Sequence, residues 1–320
     1  MHFIIFLYIA SSLFFVKDPD ELFTRTDAEP YIVEADNVKL DETETGRVSH
    51  LLGNVKITHG KTEITAEEGF VYEDEKMAKV VGEVKIDDEG TIITSEVAKY
   101  YREERKAVLV KSVELVEGEQ VLTTDSLVYY KEKKQSIAKG NVVLIDRKQK
   151  TEVTGDYGKY DFVSEEGFMT GNPELILEEK DKRVTITGDT LRIKRKENFM
   201  SCNGNVTVYE DSITATAGYL EYFSDSERIH LTYEPVVLQE GKSSLSGVSI
   251  EVFLKKREIV KTIATVDARG DYFFSDGGSN EVVGDTITIF FTDGKAERIV
   301  VTGNANGVYK SILKKEKENE

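Results

Sequence analysis

The 320-residue chain has no tryptophan, one cysteine, four prolines and four histidines. A lone cysteine, Cys202, cannot close an internal disulfide, and it lacks the Cys or His neighbours that a structural zinc site needs. His2, His50, His59 and His230 each stand outside any motif that would supply Ser-His-Asp or Cys-His partners. Basic residues are few beside the acids: 42 Lys+Arg against 59 Asp+Glu give a formal net charge of −17. That balance argues against a protein built to neutralise nucleic-acid phosphates. No Gly-x-x-x-x-Gly-Lys-Ser/Thr phosphate loop is present, so the chain is not a nucleotide-driven motor. No window keeps a 3.6-residue apolar period, which nearly rules out long helices, and β-branched residues are spread throughout.

The one long apolar run is at the start. Phe3 to Val16 is apolar or small throughout, and Lys17-Asp18-Pro19-Asp20-Glu21 ends it abruptly. As a helix it would span about 21 Å against a hydrocarbon core of roughly 30 Å, so residues 1–17 read as a signal peptide, or as a signal-anchor if uncleaved. A basic n-region and a clear Ala-x-Ala site are both missing; the competing reading is a buried N-terminal element. Export places the remainder in an extracytoplasmic aqueous compartment.

The body repeats itself. One phrase recurs as Val33-Glu34-Ala35-Asp36, Ile64-Thr65-Ala66-Glu67, Ile93-Thr94-Ser95-Glu96, Leu122-Thr123-Thr124-Asp125, Val153-Thr154-Gly155-Asp156 and Ile186-Thr187-Gly188-Asp189. Looser copies start at Ile213, Leu245 and Val282, making nine units of roughly 30 residues. A second phrase alternates with it: Gly53-Asn54-Val55-Lys56-Ile57, Gly82-Glu83-Val84-Lys85-Ile86, Gly140-Asn141-Val142-Val143-Leu144 and Gly204-Asn205-Val206-Thr207-Val208. Each reads as a turn feeding a strand, because Gly-Asn tolerates positive φ and Val-x-Ile alternates with period two. Pro173 and Pro235 fall at strand starts, where a missing N–H is tolerated.

Within a unit the apolar parity slips at the acidic residue. Leu122 and Thr124 hold one parity, Leu127 and Tyr129 the other; Leu191 with Ile193, and Ile287 with Ile289, repeat the second set. A straight strand would put the two sets on opposite faces, so a bulge or corner is expected beside the acid. The expected fold class is all-β: an elongated β-jellyroll of about nine bent repeats sharing one core. Its end units would present unpaired strand edges. The acids at Asp36, Glu67, Glu96, Asp125, Asp156, Asp189 and Asp285 would form a ladder if units stack about 4.8 Å apart, which raises a cation site; turn residues on a solvated edge are the favoured reading.

The export signal followed by apolar-Thr-Ala/Gly-Asp/Glu-x-apolar-x-Tyr units, alternating with Gly-Asn-Val-x-apolar and Gly-Asn-Pro, resembles the OstA-like (LptA/LptC) proteins of lipopolysaccharide transport. The most family-like stretches are Thr123-Thr124-Asp125-Ser126-Leu127-Val128-Tyr129-Tyr130 with Gly140-Asn141-Val142, and Val153-Thr154-Gly155-Asp156 with Gly171-Asn172-Pro173. The resemblance covers roughly residues 31–309 and fades after about 213. It implies a twisted jellyroll whose interior takes up acyl chains and whose ends join head to tail between inner and outer membranes. The chain exceeds a single bridge subunit in length, so residues 31–170 are expected as a first jellyroll and 171–309 as a second, or as its continuation, with a charged, disordered tail at 310–320.

The resemblance further implies a periplasmic protein, bound to the inner membrane if its N-terminal segment stays attached. Its partners would be lipopolysaccharide or another envelope lipid, an inner-membrane ABC transporter complex, an outer-membrane β-barrel translocon and further copies of itself. Candidate groove residues come from both phrases: Val55, Ile57, Ile64, Phe70, Tyr72, Val84, Ile86, Ile93, Tyr100, Leu127, Tyr129, Val142, Leu144, Val153, Tyr160, Leu191 and Ile193. Each would equally serve as plain core. No catalytic residue, metal ligand or cofactor is expected, since carboxylate pairs such as Glu67-Glu68 carry no specificity in a chain with 59 acids. Two other readings remain: a self-associating structural β-solenoid of the envelope without lipid, and a polysaccharide-active β-helix enzyme.

Overall fold

The computed structural model describes residues 32–310 apart from 44–45, 60, 89, 131, 180–181, 240–242, 256–257, 274–277 and 293–294. The expected export segment, residues 1–17, and residues 311–320 of the expected tail lie outside the described residues. Lys310 itself ends a strand, Asn306–Lys310. The described residues form twenty-four strands and a single 3-10 turn at Arg195–Glu197, so the protein is all-β. They divide into two compact units, residues 32–175 with Arg192–Glu197, and Ile176–Leu191 with 198–310.

The first unit is an antiparallel meander. Its central strands are Gly46–His59, Thr62–Tyr72, Met77–Asp88, Thr91–Tyr101, Lys106–Glu117, Gln120–Tyr130, Gln135–Asp146 and Thr151–Asp161, each paired with the next. Each pairing is interrupted near its middle. Val110 faces Ser126 and Val113 faces Thr124, so Lys111 and Ser112 together oppose the single residue Asp125. Such a two-against-one bulge bends the strand and raises its local twist.

The bulge has one backbone signature throughout. Both of its residues have positive φ: 73° and 45° at Gly53-Asn54, 81° and 42° at Gly82-Glu83, 78° and 46° at Gly140-Asn141, 75° and 47° at Gly204-Asn205. Lys111-Ser112, Gly171-Asn172, Tyr233-Glu234, Val266-Asp267 and Gly303-Asn304 do the same. The bulged strand spends two residues at the corner and keeps its parity: in Lys106–Glu117 the buried set runs Ala107, Leu109, then Val113, Leu115. The facing acid-bearing strand spends one fewer and changes parity, Thr124 giving way to Leu127 and Tyr129. Pro173 and Pro235 follow such pairs and directly precede the strands Glu174–Glu179 and Val236–Gln239, where no ladder N–H is lost.

The second unit repeats the plan. Phe199–Glu210 pairs with Ile213–Phe223, and Glu258–Phe273 with Ser279–Thr292, each with a corner bulge. Between them the bent strands are split at the corner into Arg228–Thr232 with Val236–Gln239, and Ser243–Ser246 with Ser249–Lys255. Its core is fully buried at Leu220, Tyr222, Ile250, Ala264, Ile287 and Ile289.

Each unit also contains a strand edge. Ile32–Glu34 and Asn37–Thr43 pair, among the described residues, with Gly46–His59 alone, and leave Val38 and Leu40 59% and 79% exposed. Lys295–Thr302 and Asn306–Lys310 pair, among the described residues, with Ser279–Thr292 alone, and leave Val308 and Tyr309 exposed.

Candidate functional site

The corners join one repeat to the next. Asn54 Nδ2 donates to Asp36 at 2.9 Å, Asn141 Nδ2 to Asp125 at 2.9 Å, Asn205 Nδ2 to Asp189 at 3.1 and 3.2 Å, and Asn304 Nδ2 to Asp285 at 3.0 and 3.3 Å. Backbone N–H groups of the same acids donate to the glycine carbonyls: Asp36 to Gly53 at 2.9 Å, Asp189 to Gly204 at 2.9 Å and Asp285 to Gly303 at 2.8 Å. At the Lys111-Ser112 corner, which lacks Gly-Asn, Lys111 Nζ pairs with Glu96 at 3.0 Å. The two sequence phrases are thus complementary halves of one corner, with the acid of one repeat seated on the turn of the next. No group of three His, Cys, Asp or Glu side chains able to hold a metal occurs among the described residues.

The residue before the acid is small because it points into the narrow angle of the bend. Thr124, 4% exposed, places its hydroxyl 3.0 and 3.1 Å from the carbonyls of Lys139 and Gly140. At Gly188 a Cβ would lie 2.4 Å from Cys202 Sγ, so no larger side chain fits there without displacement.

Because the acid-bearing strand changes parity at the bend while its bulged partner takes one extra residue there, both arms of each strand turn apolar side chains to one interior. Leu122, Val142 and Leu144 from one side of the corners meet Leu127, Ala138, Tyr160 and Met169 from the other around a cavity of about 30 Å³. In the second unit Val208, Ile213, Ala215 and Val237 meet Leu220, Ile229, Leu231, Val252 and Leu254 around a cavity of about 40 Å³. Tyr129 and Tyr160 both meet the Phe162 ring edge-on, with centroids 6.2 and 4.9 Å apart. Burial pushes the Tyr160 hydroxyl pKa up, opposed by the charge of Arg195. Burial does the same, more strongly, to Tyr272. It also pushes the Cys202 thiol up to about 12, with the Asp189 charge adding to the effect.

Most of the groove residues expected from sequence fall on this inner face. Val55, Val84, Ile86, Ile93, Leu127, Tyr129, Val142, Leu144, Val153, Tyr160, Leu191 and Ile193 are buried, and Ile57, Ile64 and Tyr100 share their parity, half-buried. Phe70 and Tyr72 do not, and the expectation is corrected for them. Their neighbours Leu51, Gly69 and Val71 hold the inner parity, while Phe70 stacks on His50 at 4.3 Å and lies 6.3 Å from Tyr72 on the opposite face. Inner residues after the corner stand two and four places beyond the acid, which in this strand means Gly69 and Val71, not the aromatics.

Sequence reasoning missed Leu109, Leu115 and Met169 in the first unit, and the second-unit interior beyond Ile193. The same spacing finds Leu220 and Tyr222, two and four places after Gly218. Gly218 occupies the acid's position and donates its N–H to the Tyr233 carbonyl at 2.9 Å. With no acid at this position, the corner carries no side-chain mark in the sequence.

Bent antiparallel repeats around an apolar interior define the class of this protein. Residues 28–179, just under half of the chain, match the family described as OstA-like protein. Among solved structures, the chain is similar to LptH, "the LptA homologous periplasmic component of the conserved lipopolysaccharide transport device from Pseudomonas aeruginosa". Identity is 19% over 35% of this chain and 83% of that chain, with a TM-score of 0.32. No curated protein matches.

Proposed function

We propose that the chain is a periplasmic lipid-binding bridge, carrying lipopolysaccharide or another envelope lipid along its apolar interior from inner to outer membrane. One observation carries this reading: each corner turns both arms of a strand toward one apolar interior, so successive repeats present similar sites side by side. A lipid tail gains on the order of 0.8 kcal/mol per methylene held out of water, and stepping between like sites changes that little. The OstA-like region supports the reading. Direction would come from an inner-membrane ABC transporter complex, and delivery from an outer-membrane β-barrel translocon. The apolar edge strands around Leu40 and Tyr309 suit head-to-tail addition of further chains. No helix among the described residues is long and apolar enough to cross a membrane; anchoring would fall to the N-terminal segment.

In this structure the arms are close. Cavities of about 30 and 40 Å³ are far smaller than the roughly 150 Å³ that accepts benzene. An acyl chain therefore enters only as the arms part, exchanging inter-arm contacts for lipid contacts. The filled interior also favours a second reading, a structural self-associating β-solenoid without lipid. Mass spectrometry of lipid retained through gentle purification, with photo-crosslinking from Leu144 and Tyr129, separates the two. Bound lipid crosslinked at these positions is the expected result; a lipid-free protein that crosslinks only to itself selects the scaffold.

A further inference from the structure

The outward face of the second unit carries a continuous row of rings and cations. Phe199, Phe223, Arg228, Phe253, Lys261, Phe290 and Arg298 are successive cross-strand partners, so they form one row over seven neighbouring strands. At strand spacing the row is about 29 Å long. It points away from the core: Phe253 lies between buried Val252 and Leu254, and Phe290 between buried Ile289 and Phe291. Arg228 sits 4.8 Å from the Phe223 ring centroid, Lys261 4.0 Å from Phe253 and Arg298 4.1 Å from Phe290.

No carboxylate interrupts the row. Glu221 and Glu251 stand one row further along the face, where they pair with His230 and Arg228 at 3.3 and 3.2 Å. Among the described residues no carboxylate pairs with Lys261 or Arg298. In a chain with 59 acids and a net charge of −17, a row of half-exposed rings alternating with cations, and free of acids, is a local reversal of character. Rings and cations held at the same level suit the boundary between headgroups and acyl chains, where aromatic rings settle and basic side chains meet lipid phosphates. The length of the row suits an extended anionic surface rather than a small solute.

We propose that this aromatic and cationic ladder docks the second unit on the anionic headgroups of a lipid bilayer. The inference does not depend on the interior taking up lipid.

The test uses the full chain with an environment-sensitive fluorophore at Thr288→Cys, on the same face two residues from Phe290; Cys202, fully buried, does not compete for the label. Vesicles containing phosphatidylglycerol should shift the emission to the blue, vesicles of phosphatidylcholine alone should not, and high salt should reverse the shift. Each cation removed should raise the lipid concentration at half-shift about fivefold, so Lys261→Gln with Arg298→Gln should raise it about 30-fold. Arg298→Lys should retain binding. An equal response to both vesicles, no response, or no effect of the double substitution overturns the proposal. A shift produced by a soluble anionic polysaccharide and absent with phosphatidylglycerol vesicles also overturns it, in favour of a glycan partner. Fluorophores on the outward face do not report on the interior, so this experiment and the Leu144 and Tyr129 crosslinks fail independently.

Discussion

Asn205 donates its side-chain amide to both carboxylate oxygens of Asp189, at 3.1 and 3.2 Å, while the Asp189 N–H reaches the Gly204 carbonyl at 2.9 Å. One acid thus holds the backbone and the side chain of a turn in the adjacent strand. The same geometry at Asp36 and Asp285 makes it the recurrent fastening between repeats.

Gly140 has φ of +78°, and a Cβ there would lie 2.3 Å from Asp125 Oδ2. Gly140→Ala should therefore destabilise by about 2 kcal/mol, combining left-handed strain with displacement of the carboxylate. Asp125→Ala alone should cost about 1 kcal/mol. Together they should cost less than the sum, because the contact disappears and the backbone strain remains. Thermal or denaturant unfolding of the four proteins measures this; strict additivity would show that the carboxylate exerts no steric demand.

Val266 is a β-branched residue at φ of +61°, in the corner position that holds glycine at most of the other corners. It is 55% exposed, so little packing is lost on its removal. Val266→Gly should raise stability by up to about 1 kcal/mol, the relieved strain exceeding the entropy that glycine adds to the unfolded chain. A lower melting temperature for this variant would contradict the assignment of a strained corner.

The thiol of Cys202, with a pKa of about 12 against an ordinary value of 9.0, favours the folded state only while protonated. Its contribution is fully present below about pH 9 and is lost between about pH 9 and 12, as the unfolded chain releases its proton first. Stability should fall across that window by up to about 1.4 kcal/mol per pH unit from this group. Cys202→Ala should flatten that part of the profile, at the cost of a small cavity. Thiol reagents at neutral pH should modify Cys202 only as fast as the unit opens.

Leu40 is 79% exposed on a strand that is paired on one side among the described residues. Leu40→Lys should leave the thermal transition within about 0.5 kcal/mol of the parent and reduce end-to-end association, read as a lower mass by light scattering at the same concentration. An unchanged mass distribution would show that this edge takes no part in assembly.

The all-β class, the repeat and the corner were legible in sequence. Period-two alternation, the paired phrases and the parity slip each follow from local backbone chemistry: left-handed φ at Gly-Asn, β-branched residues on either side, and an acid able to accept the turn's hydrogen bonds. Most inner-face residues followed from that slip. Phe70 and Tyr72 did not, because they stand three and five places beyond Glu67, on the outer parity.

Tertiary structure decided what depends on neighbours distant in the chain. That the acid of one repeat holds the turn of the next is a matter of register between strands. Phe223 and Arg228 lie close in the chain, but Phe253, Lys261, Phe290 and Arg298 come into line with them only through successive strand pairings. The distance between the arms, and so the size of the cavities, depends on how side chains from both sides of every corner fill one shared space. A sequence prescribes which side chains turn inward at each bend; how tightly they then close on one another is fixed by packing across the interior.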